Sequence, residues 1–431
     1  MNIASYYHTN GDLQIGTLLI IFFITLVVYC ALNRFLKDPR PKYLLATLFT
    51  GIFFYSGFGI AYDDISDKYI YHYTIFLISF GLPFLLCQGI TPYQKMSSLD
   101  RAFIKSPKAL RLFAYFYLLL RLIPLLFPEF RLLDLFTFKT ASYHELTAIS
   151  KGSAVVNIAD TLSVLVAPFF YASFTIEQMI NPRTKKPLLL FIILIILQYG
   201  RYNYFARYQI VTYIVEMILL LFCVKGLQYR IKMKYVLSIV VIVLLLIPFL
   251  YLYTIFRIGE SYSGSRSFLT MLDLLTKGEF YYPAFYEDIL KHLDFLNESL
   301  ENFIEYILCL PIPSAIWPDK PSYDVNAAFT YMFTGLSRGE DGFYILLPSI
   351  MGEAFINGGE MWFWVFSLIS GLVIALIFRY ICKNKTMILY VFIIIVTSFS
   401  YGRGGSTLLL PTLINGTLSI FIFDLYSRRK H

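Results

Sequence analysis

Charged residues are scarce in this sequence. They make up 15% of its 431 residues, against about 25% in an ordinary soluble domain. Apolar residues take their place, at 58%, against about 45–50%. That excess is too large to be a core. It excludes a soluble enzyme, a disordered scaffold and a nucleic-acid-binding domain, despite a net charge of +8. Familiar catalytic loops are missing too. There is no Walker loop, HExxH, GxSxG or nucleotide-sugar Asp-x-Asp, so ATP hydrolysis and zinc chemistry have no support. Of five cysteines, Cys30, Cys87, Cys223 and Cys382 lie in apolar runs, where Cys acts as a small hydrophobe. Cys309 is alone in the long polar loop, which excludes a disulfide within it. No CxxC or Cys/His cluster points to a metal, and no cofactor is expected. The N-terminal MNIASYYHTNGD has no basic n-region, so a cleaved signal peptide is not expected.

What is there is the pattern of an all-α polytopic membrane protein. A span needs about 20 mainly apolar residues. About eleven candidates qualify: Leu13–Leu32, Tyr43–Ala61, Tyr69–Ile90, Leu110–Phe127, Ala154–Ile176, Leu188–Phe205, Tyr208–Val224, Tyr235–Phe256, Tyr344–Arg379, Met387–Tyr401 and Thr407–Tyr426. Well over half of the 36 lysines and arginines fall in every second connection. The positive-inside rule makes those connections cytoplasmic. The N-terminus is then outside and the C-terminus cytoplasmic. The basic balance is a topology signal matched by anionic inner-leaflet lipid, and no nucleic acid is implied. Three regions follow: residues 1–256 with eight spans, a large outer loop at 257–342, and 343–431 with the remaining membrane segments.

The outer loop is acidic. Within it, Ala284–Leu308 places Phe285, Ile289, Leu293, Leu296, Leu300, Phe303 and Ile307 on one face of a predicted helix. That helix is expected to pack on the protein's own roof rather than lie free on the interface. The prolines of Pro311 to Pro321 exclude a regular helix there. Gly335–Gly342, which contains Arg338, is a flexible, charged return to the membrane.

Several charges sit too deep for lipid. Pro187 to Gly200 spans roughly 20 Å as a helix, against a core of about 30 Å. Arg201 is therefore expected below the outer surface, with Arg207 on the return and Tyr199, Tyr202, Tyr204 and Tyr208 around them. Arg403 closes another short span, between Gly402 and Gly404, and Arg257 ends the eighth. Sunken outer arginines suit a polyanion such as a diphosphate, which guanidinium binds bidentately. The bland alternative pairs each with an acid. Arg121, midway through the fourth span, is expected to pair with Asp160 or Glu216. Asp63-Asp64 reads as a negatively charged outer turn.

Tyr344–Phe355 is too short to span. A turn at Asn357-Gly358-Gly359 separates it from Met361–Arg379, so it reads as a re-entrant or interfacial half-helix on the outer side. Glu353 lies near its end. A carboxylate in an apolar setting is a general-base candidate, because burial raises its pKa. Partnership with a nearby arginine is the equal alternative.

The architecture resembles the oligosaccharide repeat-unit polymerases, the Wzy-type O-antigen polymerase family. The resemblance rests on the eleven spans and the large loop in the second half. It also rests on Gly200-Arg201 with Arg207, Pro311-Ile312-Pro313 to Asp319-Lys320-Pro321, and Gly352-Glu353 with Asn357 and Gly359. It implies a metal-independent glycosyltransferase of the membrane-embedded C type in the bacterial inner membrane. Such an enzyme polymerises undecaprenyl-diphosphate-linked oligosaccharides on the periplasmic side, for lipopolysaccharide or a similar surface polysaccharide. A chain-length regulator is a possible partner. By that resemblance Arg201, Arg207, Arg403 and Arg257 hold the diphosphate, Glu353 is the catalytic base, and Tyr199, Tyr202, Tyr204 and Arg338 contact sugar. Two rivals remain: an O-antigen ligase, which is expected to need a loop histidine and here has only His292, and a lipid-linked oligosaccharide flippase.

Overall fold

The computed structural model describes residues 14–61, 67–90, 107–123, single positions between 155 and 193, 286–296, 299–310, positions between 312 and 321, 323–337, 340, 346–383, 398 and 401–428. Those residues are helical, with no strand among them. Four helices are long and apolar enough to cross a membrane: Ile15–Asn33, Arg40–Ile60, Lys68–Cys87 and Ser349–Cys382. The spans read at Tyr208–Val224 and Tyr235–Phe256, and nearly all of Leu188–Phe205 and Met387–Tyr401, lie outside the described residues.

The chain divides into two compact units, one of residues 1–101, 279–338 and 343–431 and one of residues 102–278 and 339–342. In the larger unit, α1 is Ile15–Asn33. It is apolar all round and buries only Ile21, Thr25 and Leu32. Its length and uniform apolarity suit a membrane span rather than a surface helix in water. Helix α2 starts at Pro39 and runs to Ile52. Its start is fixed by Asp38, whose side chain accepts from the Arg40 N–H, with proline in the first turn where no donor is missed. The buried Asp38 and Arg40 side chains pair twice, at 2.8 and 2.7 Å. The helix continues as a π-helical turn, Phe53–Gly57, and a last turn, Phe58–Ile60. Helix α3, Asp67–Gly81, tightens into a 3-10 segment, Leu82–Cys87, where Pro83 removes a donor.

These three helices meet through small residues. A side chain at Gly57 would strike Ile21 and Tyr73. Tyr73 in turn shares a 2.9 Å hydrogen bond with Thr25 of α1.

In the smaller unit, helix α4 is Pro107–Leu122. Its Phe113 stacks on Phe169 at 4.8 Å, and Tyr117 lies 4.8 Å from Phe170. Arg121 lies over the Tyr117 ring, 5.4 Å from its centroid. The partners expected for it, Asp160 and Glu216, lie outside the described residues.

Residues 279–338 of the long loop belong to the larger unit. The single helix expected over Ala284–Leu308 is three pieces: α5 Tyr286–Lys291, α6 Leu293–Leu296 and α7 Leu300–Cys309. The break after α6 has a local cause. Ser299 is extended and caps a new helix, accepting from the Asn302 N–H at 3.3 Å. The expected apolar face survives, since Ile289, Leu296 and Phe303 are buried. Helix α8, Val325–Thr334, is capped by Asp324 and closed by Gly335 at φ 68.

Helix α9, Ser349–Lys383, is broken at Gly359, with φ 58 and ψ −163. Only glycine adopts that backbone readily. The break falls where the sequence predicts a turn. Gly371 then packs directly against the Phe80 carbonyl of α3. A short helix at 401–404 ends on Gly405, at φ 62. The last helix, α10, is Ser406–Arg428.

Candidate functional site

The two broken helices meet at one carboxylate. Residues 349–358 form a ten-residue half-helix, about 15 Å long. Its first residue, Ser349, has φ 64, a conformation that is strained for a side-chain-bearing residue. Three groups hold it there. Ser56, on the π turn of α2, donates to Ser349 Oγ at 3.1 Å, and Tyr286 of α5 shares a 3.0 Å hydrogen bond with the same oxygen. Ser349 Oγ also accepts from the Gly352 N–H at 3.4 Å. Gly352 must be small because Pro348, Ile289 and Tyr286 crowd it.

Glu353 is wholly buried. Its Oε1 accepts from the Tyr323 hydroxyl at 2.8 Å, and its Oε2 accepts from the Ser406 backbone N–H at 2.8 Å. Asn357 lies one turn along the same face. Its amide donates to the Tyr323 hydroxyl at 2.6 Å and to the Glu353 carbonyl at 2.8 Å. The carboxylate therefore caps α10, where the positive end of the helix dipole favours a negative charge. It also ties down the loop residue Tyr323.

Arg403 is half-buried and stands three residues before Ser406. Its glycine neighbours have concrete work. A side chain at Gly405 would run into the Glu353 carboxylate, and one at Gly402 into the backbone of Gly51 and Ile52. These glycines thus let the backbone approach protein groups closely. It also sets the depth. Gly51 lies about 18 Å along α2 from Pro39. Tyr401 packs 5.8 Å from the Phe80 ring, which lies about 20 Å along α3 from Asp67. The Arg403 segment is therefore well inside both helices.

More polar groups gather here. The Tyr401 hydroxyl lies close to Ser370, Ser406 and Glu353. The hydroxyls of Tyr401, Ser370 and Ser406 are all buried and make no aligned hydrogen bond. Tyr306, on α7, lies 5.6 Å from the Tyr323 ring. Burial, and then the charges of Glu353 and Asp324, raise its phenol above the ordinary value.

A second cluster borders the Gly359 break. Glu360 pairs with Lys68 at 2.8 Å, and His72 Nε2 lies 3.7 Å from the same oxygen. The His72 ring is buried against Phe355 and Phe363. Among the described residues, no trio of His, Cys, Asp or Glu is placed to hold a metal ion.

Of the site residues read from sequence, the structure brings Glu353 and the Arg403 segment together. Arg201, Arg207, Arg257, Tyr199, Tyr202, Tyr204 and Arg338 lie outside the described residues, as does Asp63-Asp64. The sequence reading does not single out Tyr323, Ser349, Ser56, Tyr401 or Ser406. Asn357, four residues after Glu353, carries a helix-spacing signal for its place on the same face. The Ser406 contact is a backbone N–H and leaves no signal in residue type. As arranged, Tyr323 stands where a substrate hydroxyl would have to donate. Base chemistry at Glu353 requires that phenol to give way.

The chain matches no protein-family model, and no curated protein or solved structure gives a significant match to it.

Proposed function

We propose that the chain is a membrane-embedded polymerase of lipid-linked oligosaccharide repeat units. One observation carries the reading: the buried Glu353 carboxylate meets the Gly402-Arg403-Gly404-Gly405 turn well inside two membrane-length helices. Ionisable groups at such depth are costly unless they serve a site. The polymerase has about eleven spans, an outside N-terminus and a cytoplasmic C-terminus, and works in the bacterial inner membrane. Arg201, Arg207, Arg257 and Arg403 hold the diphosphate of an undecaprenyl carrier and stabilise the charge that builds on it as it leaves. Glu353 takes the proton of the acceptor hydroxyl once Tyr323 has moved aside. The acceptor oxygen bonds to the anomeric carbon, the bond from that carbon to the diphosphate breaks, and undecaprenyl diphosphate departs. Tyr199, Tyr202, Tyr204 and Arg338 line the sugar path, where aromatic faces meet sugar C–H groups and hydroxyls hydrogen-bond.

The ligase reading is weaker on this site. His292 holds its ring Nδ1 2.9 Å from the Asp288 carbonyl of its own turn. The flippase reading has one observation in its favour. Two glycine-broken helices meeting at a buried carboxylate are also a feature of ion-coupled carriers.

Reconstitution with the purified lipid-linked repeat unit separates the three. A ladder of products on the undecaprenyl carrier supports the polymerase. Glycan found only on an added lipid A core indicates a ligase. Movement of the substrate across the vesicle without elongation indicates a flippase.

A further inference from the structure

We infer that helices α7 and α8 are seated against lipid, in the leaflet that holds the Lys68–Glu360 end of the helices. The sequence reading expects the first of these helices to pack on the protein's own roof. Three observations carry this.

The first is depth. Phe303 of α7 is fully buried and packs on Phe366 at 4.7 Å. Phe366 lies about 9 Å along α9 from Glu360. Between them, Trp362 and Trp364 are exposed, at 59% and 40%. Exposed tryptophans near a span end mark the membrane interface. So α7 touches α9 on the hydrocarbon side of that marker. Helix α8 goes further in, since Asn326 donates to Thr407, in the first turn of α10, at 2.7 Å.

The second is charge. The loop is acidic as a whole, but no charged residue occurs from Tyr306 to Pro318 or from Val325 to Ser337. The first stretch lies between Glu305 and Asp319, the second between Asp324 and Arg338.

The third is exposure. On α7, Leu308 is 72% exposed and Ile304 42% exposed. In water, two large apolar side chains one turn apart would be a docking or aggregation surface. Here their helix packs through Phe303 on Phe366 of α9, two residues along from the exposed Trp364. Glu301 and Glu305 are exposed on the same side of α7, so that side is mixed, with its carboxylates reaching the headgroups beside the two apolar side chains. The occupant of this face is the acyl chains of the membrane. Such an interfacial helix gains binding from its buried apolar area.

The test uses the full chain in vesicles. The 3 tryptophans, Trp317, Trp362 and Trp364, are changed to Phe. Leu308→Trp, Ile304→Trp and Lys291→Trp are then introduced singly. Lys291 is 64% exposed in its side chain and pairs weakly with Glu287, so it reports on water. Each protein is placed in phosphatidylcholine vesicles with or without brominated acyl chains, and iodide is added as the aqueous quencher. At 308 and 304, brominated lipid should remove most of the emission and iodide little. At 291 the order should reverse. Two independent positions guard against one variant misfolding. Quenching of 308 and 304 by iodide, with brominated lipid inert, places the face in water and overturns the proposal. Protection from both quenchers means that protein covers it, which also overturns it. The result is independent of any activity, so it stands or falls separately from the polymerase reading.

Discussion

The Tyr323 hydroxyl and the Glu353 carboxylate form a 2.8 Å hydrogen bond across thirty residues. It fastens the outer loop to the half-helix that carries the carboxylate. A hydrogen bond to a charged group contributes about 1.5–3 kcal/mol. Tyr323→Phe should therefore lower the thermal midpoint of the purified protein by several degrees, with insertion unchanged. An unaltered midpoint would mean that the bond does not hold the loop.

Glu353→Gln tests chemistry rather than fastening. Glutamine still accepts the Ser406 N–H but brings no charge to the start of α10, which costs about 0.3–1 kcal/mol. The expected outcome is a protein at normal level that makes no polymer, seen as single repeat units on the surface glycolipid. A normal ladder would leave Glu353 as a joint alone.

Gly405 and Gly335 form a matched pair. Both have positive φ, 62 and 68. A methyl at Gly335 meets nothing, while one at Gly405 meets the Glu353 carboxylate. Gly335→Ala should cost about 1–2 kcal/mol for the left-handed backbone. Gly405→Ala should cost clearly more in the same chemical denaturation series. Equal effects would show that the Glu353 contact is soft.

Ser349 combines strain with three hydrogen-bonding neighbours. Ser349→Ala loses the bonds and keeps the strain. Ser349→Gly loses the same bonds and relieves it, by about 1–2 kcal/mol. Alanine should therefore be the less stable of the two. The reverse order would show that the backbone there is not held against its preference.

Arg201→Ala and Arg207→Ala address the diphosphate. Each should abolish polymer without loss of membrane insertion, read from a surface polysaccharide ladder beside an immunoblot of the membrane fraction. Full-length polymer from both would remove them from the site.

Much of the described architecture is legible in the amino-acid sequence, for physical reasons. Uniform apolarity over some 20 residues marks α1 and α3. Two glycines after Asn357 mark the break in α9, because only that residue type suits the backbone at Gly359. The 3.6-residue rhythm finds Ile289, Leu296 and Phe303 as one apolar face. What the rhythm misses is local and polar. Ser299 restarts the helix by capping it, an effect that periodicity does not register. The partners of Glu353 are also out of its reach. Tyr323 follows a proline-rich stretch with no regular period, and Ser406 contributes only its backbone. Ser56 and Tyr286 look like any other hydroxyls, since their role depends on a contact with one distant residue.

That distance has its own consequence. Ser56 and Ser349 are separated by 293 positions. At about 5–20 residues per second, Ser56 leaves the ribosome on the order of 15–60 s before its partner exists. Through that interval α1, α2 and α3 wait in the bilayer with an open seam and an unanswered hydroxyl facing it. Among the described residues, Tyr286 of α5 reaches Tyr69 first, and α9 and the turn before α10 follow. Among the described helices, the contacts that join α2 and α3 to α9 can close only after most of the chain has been made.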